Sequence, residues 1–158
     1  MVCIILFLIL VILAFFGGRL FEFLNGEKGR EEIDRINYQK KLLRIYEEKD
    51  IPLYHYFKNN KIRNIVIYGL GAYYKNFKDK IGDFKFDHIY LADGNVSDKQ
   101  KAFPEHIYTK QELLDLKIDA VVVTSVSHYL EIKQELLELG ISKEILSYSD
   151  LIYNAAKE

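Results

Sequence analysis

The sequence predicts an α/β protein in which a parallel β-sheet is flanked by helices and preceded by one apolar N-terminal helix. From Ile62 onward, short β-branched runs alternate with helical segments, and Asp119–Thr124 (DAVVVT) is the clearest of these runs. Continuous apolar strands are typical of a parallel sheet that helices cover on both faces. At the other end of the chain, Met1–Phe16 contains only apolar side chains.

The composition excludes several classes of site. The 158 residues carry 22 basic and 23 acidic side chains, so the clustered basic excess of a nucleic-acid-binding surface is absent and no nucleic-acid partner is expected. A single cysteine, Cys3, excludes an internal disulfide framework. The histidines are scattered without the spacing of paired metal ligands, so no metal site is predicted; they are His55, His88, His106 and His128.

Residues 1–24 are predicted to form a transmembrane anchor. The first charged side chain is Arg19, and the 18 residues before it would span about 27 Å as a helix, close to the roughly 30 Å hydrocarbon core of a bilayer. A cleaved signal peptide is the main alternative, but no basic residue precedes the apolar run and no small-residue cleavage pattern follows it. A buried helix of a soluble core is a further alternative.

Basic residues indicate the orientation of this anchor. Arg19, Lys28, Arg30 and Arg35 all follow the apolar segment, and none precedes it. The positive-inside rule therefore predicts a single-pass protein of the cell membrane whose C-terminal domain is cytoplasmic.

Residues 25–60 are predicted to be connecting helices, one over Glu31–Lys49 and a short one from Pro52 to Lys58. Residues 61–158 are predicted to form the sheet domain. The predicted strands are Ile62–Tyr68, His88–Ala92, His106–Tyr108, Asp119–Thr124 and Glu144–Tyr148. The predicted helices are Ala72–Ile81, Lys110–Leu116, His128–Leu139 and Ser149–Ala156.

Local signals mark the ends of these helices. Residues 96–105 contain Pro104 and few apolar side chains, which predicts a polar loop. Thr109 is expected to cap the helix Lys110–Leu116, with Glu112 as its capping-box partner. Ser127 is expected to cap the next helix, and Gly140 to end it.

Gly69-Leu70-Gly71 lies between the first predicted strand and its helix, which is where a Rossmann-like sheet binds phosphate. Asp93 follows Gly69 by 24 residues, about where an acidic residue accepts hydrogen bonds from a ribose, although Asp93-Gly94 is also an ordinary turn signal. Tyr74 takes the place of the third glycine of the fingerprint, after Tyr73. These rings would either stack on a ligand or cover the phosphate site.

Thr124 and Ser125 follow the central strand and are expected beside the glycine loop, where the strand order reverses; loop polarity is the alternative explanation. The residues predicted to bind a ligand are Gly69, Leu70, Gly71, Ala72, Tyr73, Asp93, Thr124 and Ser125.

No catalytic residue is predicted. Tyr129-x-x-x-Lys133 has the spacing of a dehydrogenase pair, but the same spacing recurs at Tyr54/Lys58 and Tyr74/Lys78. Carboxylates of the predicted helix His128–Leu139, including Glu135 and Glu138, are assigned to a solvated helix face.

From about Tyr38 to Asn154 the chain resembles the Rossmann-like domain of bacterial capsule and exopolysaccharide biosynthesis proteins. That domain is similar to the nucleotide-sugar-binding N-terminal domain of sugar acetyltransferases and to domains appended to glycosyltransferases. The segments that carry the resemblance are Leu53–Phe57, Ile62–Gly71, Asp93–Asn95, Asp119–Thr124, Ile132–Leu136 and Ile145–Ile152.

The resemblance implies a membrane-anchored, non-catalytic module that binds a nucleotide or nucleotide sugar in cell-surface polysaccharide biosynthesis, with a glycosyltransferase or other synthesis enzyme as partner. Two alternatives stay open. One is an NAD(P)-dependent or nucleotide-sugar-modifying enzyme. The other is a protein-interaction domain with a vestigial ligand site.

Overall fold

The computed structural model describes residues 27–47 and 52–155, and the predicted anchor over residues 1–24 lies outside them. Within the described ranges, no helix is both long enough and apolar enough to cross a membrane. The chain divides into two compact units, Met1–Tyr38 and Gln39–Glu158. In the first unit the described residues are the beginning of helix α1 (Glu27–Glu47), and the rest of that helix belongs to the second.

The second unit is built on a five-stranded parallel sheet, which confirms the predicted α/β class. Its strands are β1 (Asn64–Tyr68), β2 (His88–Ala92), β3 (Ile107–Tyr108), β4 (Ala120–Val123) and β5 (Glu144–Ser147). They lie in the order β3-β2-β1-β4-β5, and every neighbouring pair is parallel. The chain therefore builds outward from β1 to one edge and then returns to add β4 on the other side of β1. This is the doubly wound order, and its switch point lies between β1 and β4.

Helices connect and flank the strands, and most of their bounds agree with the sequence prediction. The helix after β1 and the strand β2 have the predicted bounds, and the other strands lie within the predicted ones. The helices are α2 (Tyr54–Asn59), α3 (Ala72–Ile81), α4 (Val96–Ala102), a short 3₁₀ helix (Glu112–Asp115), α5 (Tyr129–Glu138) and α6 (Tyr148–Ala155).

Two hydrophobic cores lie on opposite faces of the sheet. Because side chains alternate along a strand, Ile65 and Ile67 of β1 face one core, and Val66 and Tyr68 face the other. Buried side chains of α2, α3 and α6 complete the first core, together with Leu43 of α1. The 3₁₀ helix and α5 complete the second core. The sheet is therefore covered on both faces, as its continuous apolar strands predict.

The predicted loop over residues 96–105 is wrong, because Val96–Ala102 forms helix α4. The Asn95 side chain caps this helix by accepting a hydrogen bond of 3.4 Å from the Asp98 backbone N–H. None of the residues of α4 is buried, so the helix has no apolar stripe from which a helical period could be recognised.

Two predicted helix caps have different outcomes. Thr109 and Glu112 form the predicted capping box: the Thr109 N–H donates to Glu112 Oε2 at 2.7 Å, and the Glu112 N–H donates to Thr109 Oγ1 at 3.3 Å. The helix that follows is only the short 3₁₀ helix. The predicted Ser127 cap is wrong, since His128 holds the cap position of α5 and makes no side-chain cap bond.

Asp119 joins the amino ends of β1 and β4. Its Oδ2 accepts hydrogen bonds from the Arg63 N–H (2.9 Å), the Asn64 N–H (2.8 Å) and the Asn64 side-chain amide (3.1 Å). Burial alone would raise the pKa of Asp119, but these hydrogen bonds and the charge of Lys143 outweigh burial and lower the pKa below its usual value. The carboxylate thus helps to set the register of the two central strands.

We expect Val122→Asp to unfold the second unit. Val122 is fully buried in β4, and an unpaired carboxylate there should cost about 4 kcal/mol or more, a large part of the roughly 5–15 kcal/mol stability of a typical domain. Ile89→Asp is the matched control, because Ile89 is also a strand residue of this sheet but its side chain is 43% exposed. Urea unfolding followed by circular dichroism measures both, and equal stability losses would contradict the placement of β4 at the centre.

Asp119 should contribute to stability in a pH-dependent way. Because its pKa is lowered on folding, its contribution is present above the unfolded-state pKa, near 4, and is lost as the pH falls through the folded-state pKa. We expect Asp119→Asn to lower the free energy of unfolding by about 1–3 kcal/mol at pH 7. The gap between variant and wild type should narrow as the pH falls below about 4 in urea unfolding experiments. A gap that does not change with pH would show that the charge of Asp119 is not the stabilising feature.

Candidate functional site

A cavity of about 370 Å³ lies at the carboxyl ends of the central strands, beside the switch point of the sheet. Ligands of doubly wound sheets bind at this position, because the connections from adjacent strands diverge there and leave a crevice. Three segments supply most of the wall: the loop after β1, the loop after β2 and the first part of α5. The lining residues are Tyr68, Gly69, Gly71, Asp93, Gly94, Lys99, Lys110, Ser125, His128, Glu131, Ile132 and Glu135.

Gly69 allows the loop after β1 to lie directly against the segment after β4. Its φ angle is +97°, and a Cβ atom at this position would lie 3.1 Å from the Ser125 backbone nitrogen. Thr124 holds the two segments together, because its hydroxyl donates to the Gly69 carbonyl and its N–H donates to the Tyr68 carbonyl at 2.9 Å. Any side chain at position 69 would be strained and would also push these segments apart.

Gly71 brings the N-terminus of α3 to the cavity. It is the N-cap residue of this ten-residue helix, and Ala72 is the exposed first helical residue. The first turn of α3 contains no acidic side chain, so the positive end of the helix dipole is not neutralised within that turn. The first N–H groups of a helix have no partner inside the helix, which makes this end of the cavity suited to an anion such as phosphate.

Asp93 supports the glycine loop from the end of β2. Its Oδ2 accepts a 2.7 Å hydrogen bond from the Leu70 N–H, and its Oδ1 accepts a 2.9 Å hydrogen bond from the Asn95 N–H. The Lys99 Nζ of α4 completes the support by donating to the Leu70 carbonyl at 2.9 Å. Each Asp93 oxygen keeps a further lone pair, and Lys99 keeps further N–H donors, for a ligand.

The opposite end of the cavity carries side chains that the sequence did not single out. Lys110, after β3, forms an ion pair with Glu135 of α5, and Glu131 lies one turn earlier on that helix. Glu135 was expected on a solvated helix face, but it lines the cavity. Ser125 Oγ lies 3.2 Å from His128 Nδ1, where the segment after β4 lies against Gly69. The α5 end is therefore rich in charged and polar groups.

Tyr68, the last residue of β1, contributes the most buried polar group of the cavity lining. The residue is 2% exposed, and its hydroxyl has no hydrogen-bond partner among the residues that the structure describes. Burial raises the pKa of Tyr68 to about 12, and the nearby carboxylates of Glu135 and Asp93 add to the effect. The phenol therefore stays neutral and keeps both its donor and its acceptor at physiological pH.

The predicted ligand-binding residues divide into two groups. Gly69, Gly71, Asp93 and Ser125 line the cavity, and Ala72 adjoins it through the first turn of α3. The remaining predicted residues have structural contacts instead: Leu70 is buried in the first core, Thr124 is buried at the strand end, and the Tyr73 ring packs at 6.1 Å from the Tyr148 ring.

The two tyrosines of α3 point away from the cavity. Tyr73 packs against the first core, and the Tyr74 ring makes an edge contact with Phe103 at 5.5 Å. Both rings therefore contribute to the packing of α3 and stand outside the cavity lining. The Tyr74 ring, which takes the place of the third glycine, therefore does not close the cavity.

The two glycines of the loop should differ sharply in tolerance. We expect Gly69→Ala to cost about 1–3 kcal/mol, because a positive φ and a close backbone contact coincide there. Gly71→Ala should cost less than about 1 kcal/mol, because no atom lies within 4 Å of the added Cβ. Urea unfolding of both variants measures the difference, and similar losses would contradict the geometry of this loop.

Comparison with known families gives a match that covers the sheet domain. A family profile described as C2185-like, N-terminal, matches residues 61–146, which begin just before β1 and end within β5. Neither the curated proteins nor the solved structures gave a match. The matched segment is more than half of the 158 residues and contains every element that lines the cavity. The chain therefore belongs to the C2185-like N-terminal family.

Proposed function

We propose that this protein is a non-catalytic module that binds a nucleotide or nucleotide sugar through the loop after β1 of a Rossmann-like sheet. The main support for this proposal is the cavity at the switch point, where Gly71 places the N-terminus of α3 beside the cavity. A phosphate group suits this end, because the positive end of the α3 helix dipole and Lys99 together supply positive charge and donors.

The size of the cavity favours a ligand that is only partly buried. A volume of about 370 Å³ is near the lower end of the roughly 300–1,000 Å³ range of ligand pockets. A phosphate and one sugar ring fit such a space, and the rest of a nucleotide would extend along the rim. NAD(P) is a larger alternative ligand of the same chemistry.

A second candidate function is an enzyme that uses NAD(P) or modifies a nucleotide sugar. The hydrogen-bond contact between Ser125 Oγ and His128 Nδ1, at 3.2 Å within the cavity lining, favours it. Ser127 Oγ is also 3.3 Å from the same nitrogen, so this histidine is shared between two hydroxyls. We give the binding module preference because a histidine that activates a nucleophile is normally held by a third group on its other nitrogen.

We further propose that residues 1–24 anchor the protein in the cell membrane as a single span, with the C-terminal domain in the cytoplasm. The uncharged first 18 residues and the basic residues that follow them support this proposal. In that position the module would serve cell-surface polysaccharide biosynthesis, with a glycosyltransferase or another synthesis enzyme as its partner.

We expect Lys99→Met to weaken nucleotide binding by about 10- to 150-fold, the loss of one charge-assisted hydrogen bond to phosphate. Isothermal titration calorimetry on the full chain in mild detergent measures the affinity for UDP, GDP, CMP, ADP, their sugar conjugates and NAD(P). Lys101→Met is the matched control, because Lys101 lies on the same helix with its side chain 76% exposed. The thermal midpoint of Lys99→Met shows whether loss of the Leu70 contact disturbs the loop.

Two results would contradict the binding module. If the wild type binds none of these compounds at millimolar concentration, the interaction-domain alternative becomes the leading one. If it binds a nucleotide sugar and releases a changed product, the enzyme alternative replaces the module.

The anchor proposal has its own experiment. The full-length protein should stay in the membrane pellet after carbonate washing, and a variant without residues 1–24 should be released. In a Cys3→Ser background, a cysteine introduced at Leu114, which is 51% exposed, should react with an impermeant thiol reagent only after the cells are permeabilised. Release of the full-length protein or labelling in intact cells would contradict the anchor or its orientation, respectively.

A further inference from the structure

Resting on the proposed function, we propose that the α5 end of the cavity is a subsite for sugar hydroxyl groups. Tyr68, Glu131 and Glu135 line this end, and the Tyr68 hydroxyl is buried beneath its surface. The subsite receives the vicinal hydroxyls of a sugar ring whose attached phosphate lies at the glycine loop. The ring is either the ribose of the nucleotide or a hexose beyond the phosphates.

The unpaired hydroxyl of Tyr68 is the first support. Tyr68 is only 2% exposed, and its hydroxyl has no partner among the described residues. Tyr68 is a lining residue, and a Cβ atom on Gly94, another lining residue, would lie 3.8 Å from its hydroxyl. Buried polar groups of proteins are nearly always hydrogen-bonded, and a ligand hydroxyl would complete this one.

The charges of the lining give the second support. Three carboxylates, those of Asp93, Glu131 and Glu135, line the cavity with only two lysines. Lys99 lies at the glycine loop, where it donates to the Leu70 carbonyl, and the charge of Lys110 is balanced by Glu135. A second anionic group at the α5 end would therefore be repelled.

A sugar matches this end of the cavity in its hydrogen-bonding chemistry. Ionised carboxylates only accept hydrogen bonds, whereas the neutral phenol both donates and accepts. Burial and the neighbouring carboxylates keep that phenol protonated. A pair of sugar hydroxyls can donate to the carboxylates and accept from Tyr68 at the same time, which phosphate cannot do.

The test is Tyr68→Phe, which removes only the hydroxyl and leaves the ring in the core. Isothermal titration calorimetry on the full chain in mild detergent compares the affinities for UDP-glucose, UDP and 2′-deoxy-UDP. The corresponding guanine compounds are GDP-glucose, GDP and 2′-deoxy-GDP. Against the wild type, Tyr68→Phe should weaken the sugar-dependent part of binding by roughly 2- to 10-fold. A penalty on UDP-glucose that is absent with UDP identifies a hexose. A penalty on UDP that is absent with 2′-deoxy-UDP identifies the ribose.

Tyr129→Phe is the matched control. Tyr129 is a buried tyrosine of the same core, but its hydroxyl donates to the Ile145 carbonyl at 3.0 Å and it is not a lining residue. Tyr129→Phe should lower the thermal midpoint and leave ligand affinity unchanged. Tyr68→Phe should leave the thermal midpoint of the ligand-free protein unchanged or raise it, because no hydrogen bond to a described residue is lost.

The results of these titrations distinguish failure of the sugar subsite from failure of nucleotide binding. Equal affinities of wild type and Tyr68→Phe for all three ligands, or an equal penalty on all three, overturn the sugar subsite and leave nucleotide binding intact. A lowered thermal midpoint for Tyr68→Phe without ligand also overturns it, because the hydroxyl would then have a structural role. If the wild type binds no nucleotide at all, the proposed function itself fails.

Discussion

The close approach of the Gly69 backbone to the segment after β4 is the contact on which the site depends. It is possible only because position 69 has no side chain and a φ of +97°. The approach is then held by Thr124, whose hydroxyl and N–H both bond to carbonyls of the loop after β1. These bonds place the end of β1, the start of α3 and the start of the β4–α5 connection around one small space.

Carboxylates have different roles at the two ends of the sheet. At the amino end, one oxygen of Asp119 accepts hydrogen bonds from the backbone N–H groups of Arg63 and Asn64 and from the Asn64 side chain. These hydrogen bonds contribute to the lowered pKa of Asp119. At the carboxyl end, Asp93 supports the glycine loop, while Glu131 and Glu135 face the cavity. The first end fixes register, and the second leaves acceptors available to a ligand.

The cavity combines groups that favour different chemical partners. The α3 end has helix N–H groups and Lys99, which suit a phosphate. The α5 end has an excess of carboxylates and a neutral buried phenol, which suit hydroxyl groups. A phosphorylated sugar is the simplest compound with both properties in one small volume.

The sequence by itself determined the five strands of the sheet domain and the place of its glycine loop. Strands such as Ala120–Val123 were recognised because a parallel strand is buried on both faces and therefore reads as a continuous apolar run. The helix Val96–Ala102 was missed because none of its residues is buried, which leaves no apolar period along the chain. Local patterns thus identify elements that pack into the core and miss those that only cover a surface.

Tertiary structure alone decided the composition of the cavity. Lys110 and Glu135 are 25 positions apart, and Tyr68 is separated from Glu135 by a still longer segment, so their meeting follows from the strand order and not from any local spacing. A helical period cannot tell whether a charged residue faces water or a cavity, because both environments accept polar side chains. The sequence pattern shows Tyr68 only as the apolar end of a strand, and its place in the cavity lining depends on the loops after β1 and β2, which line the same cavity.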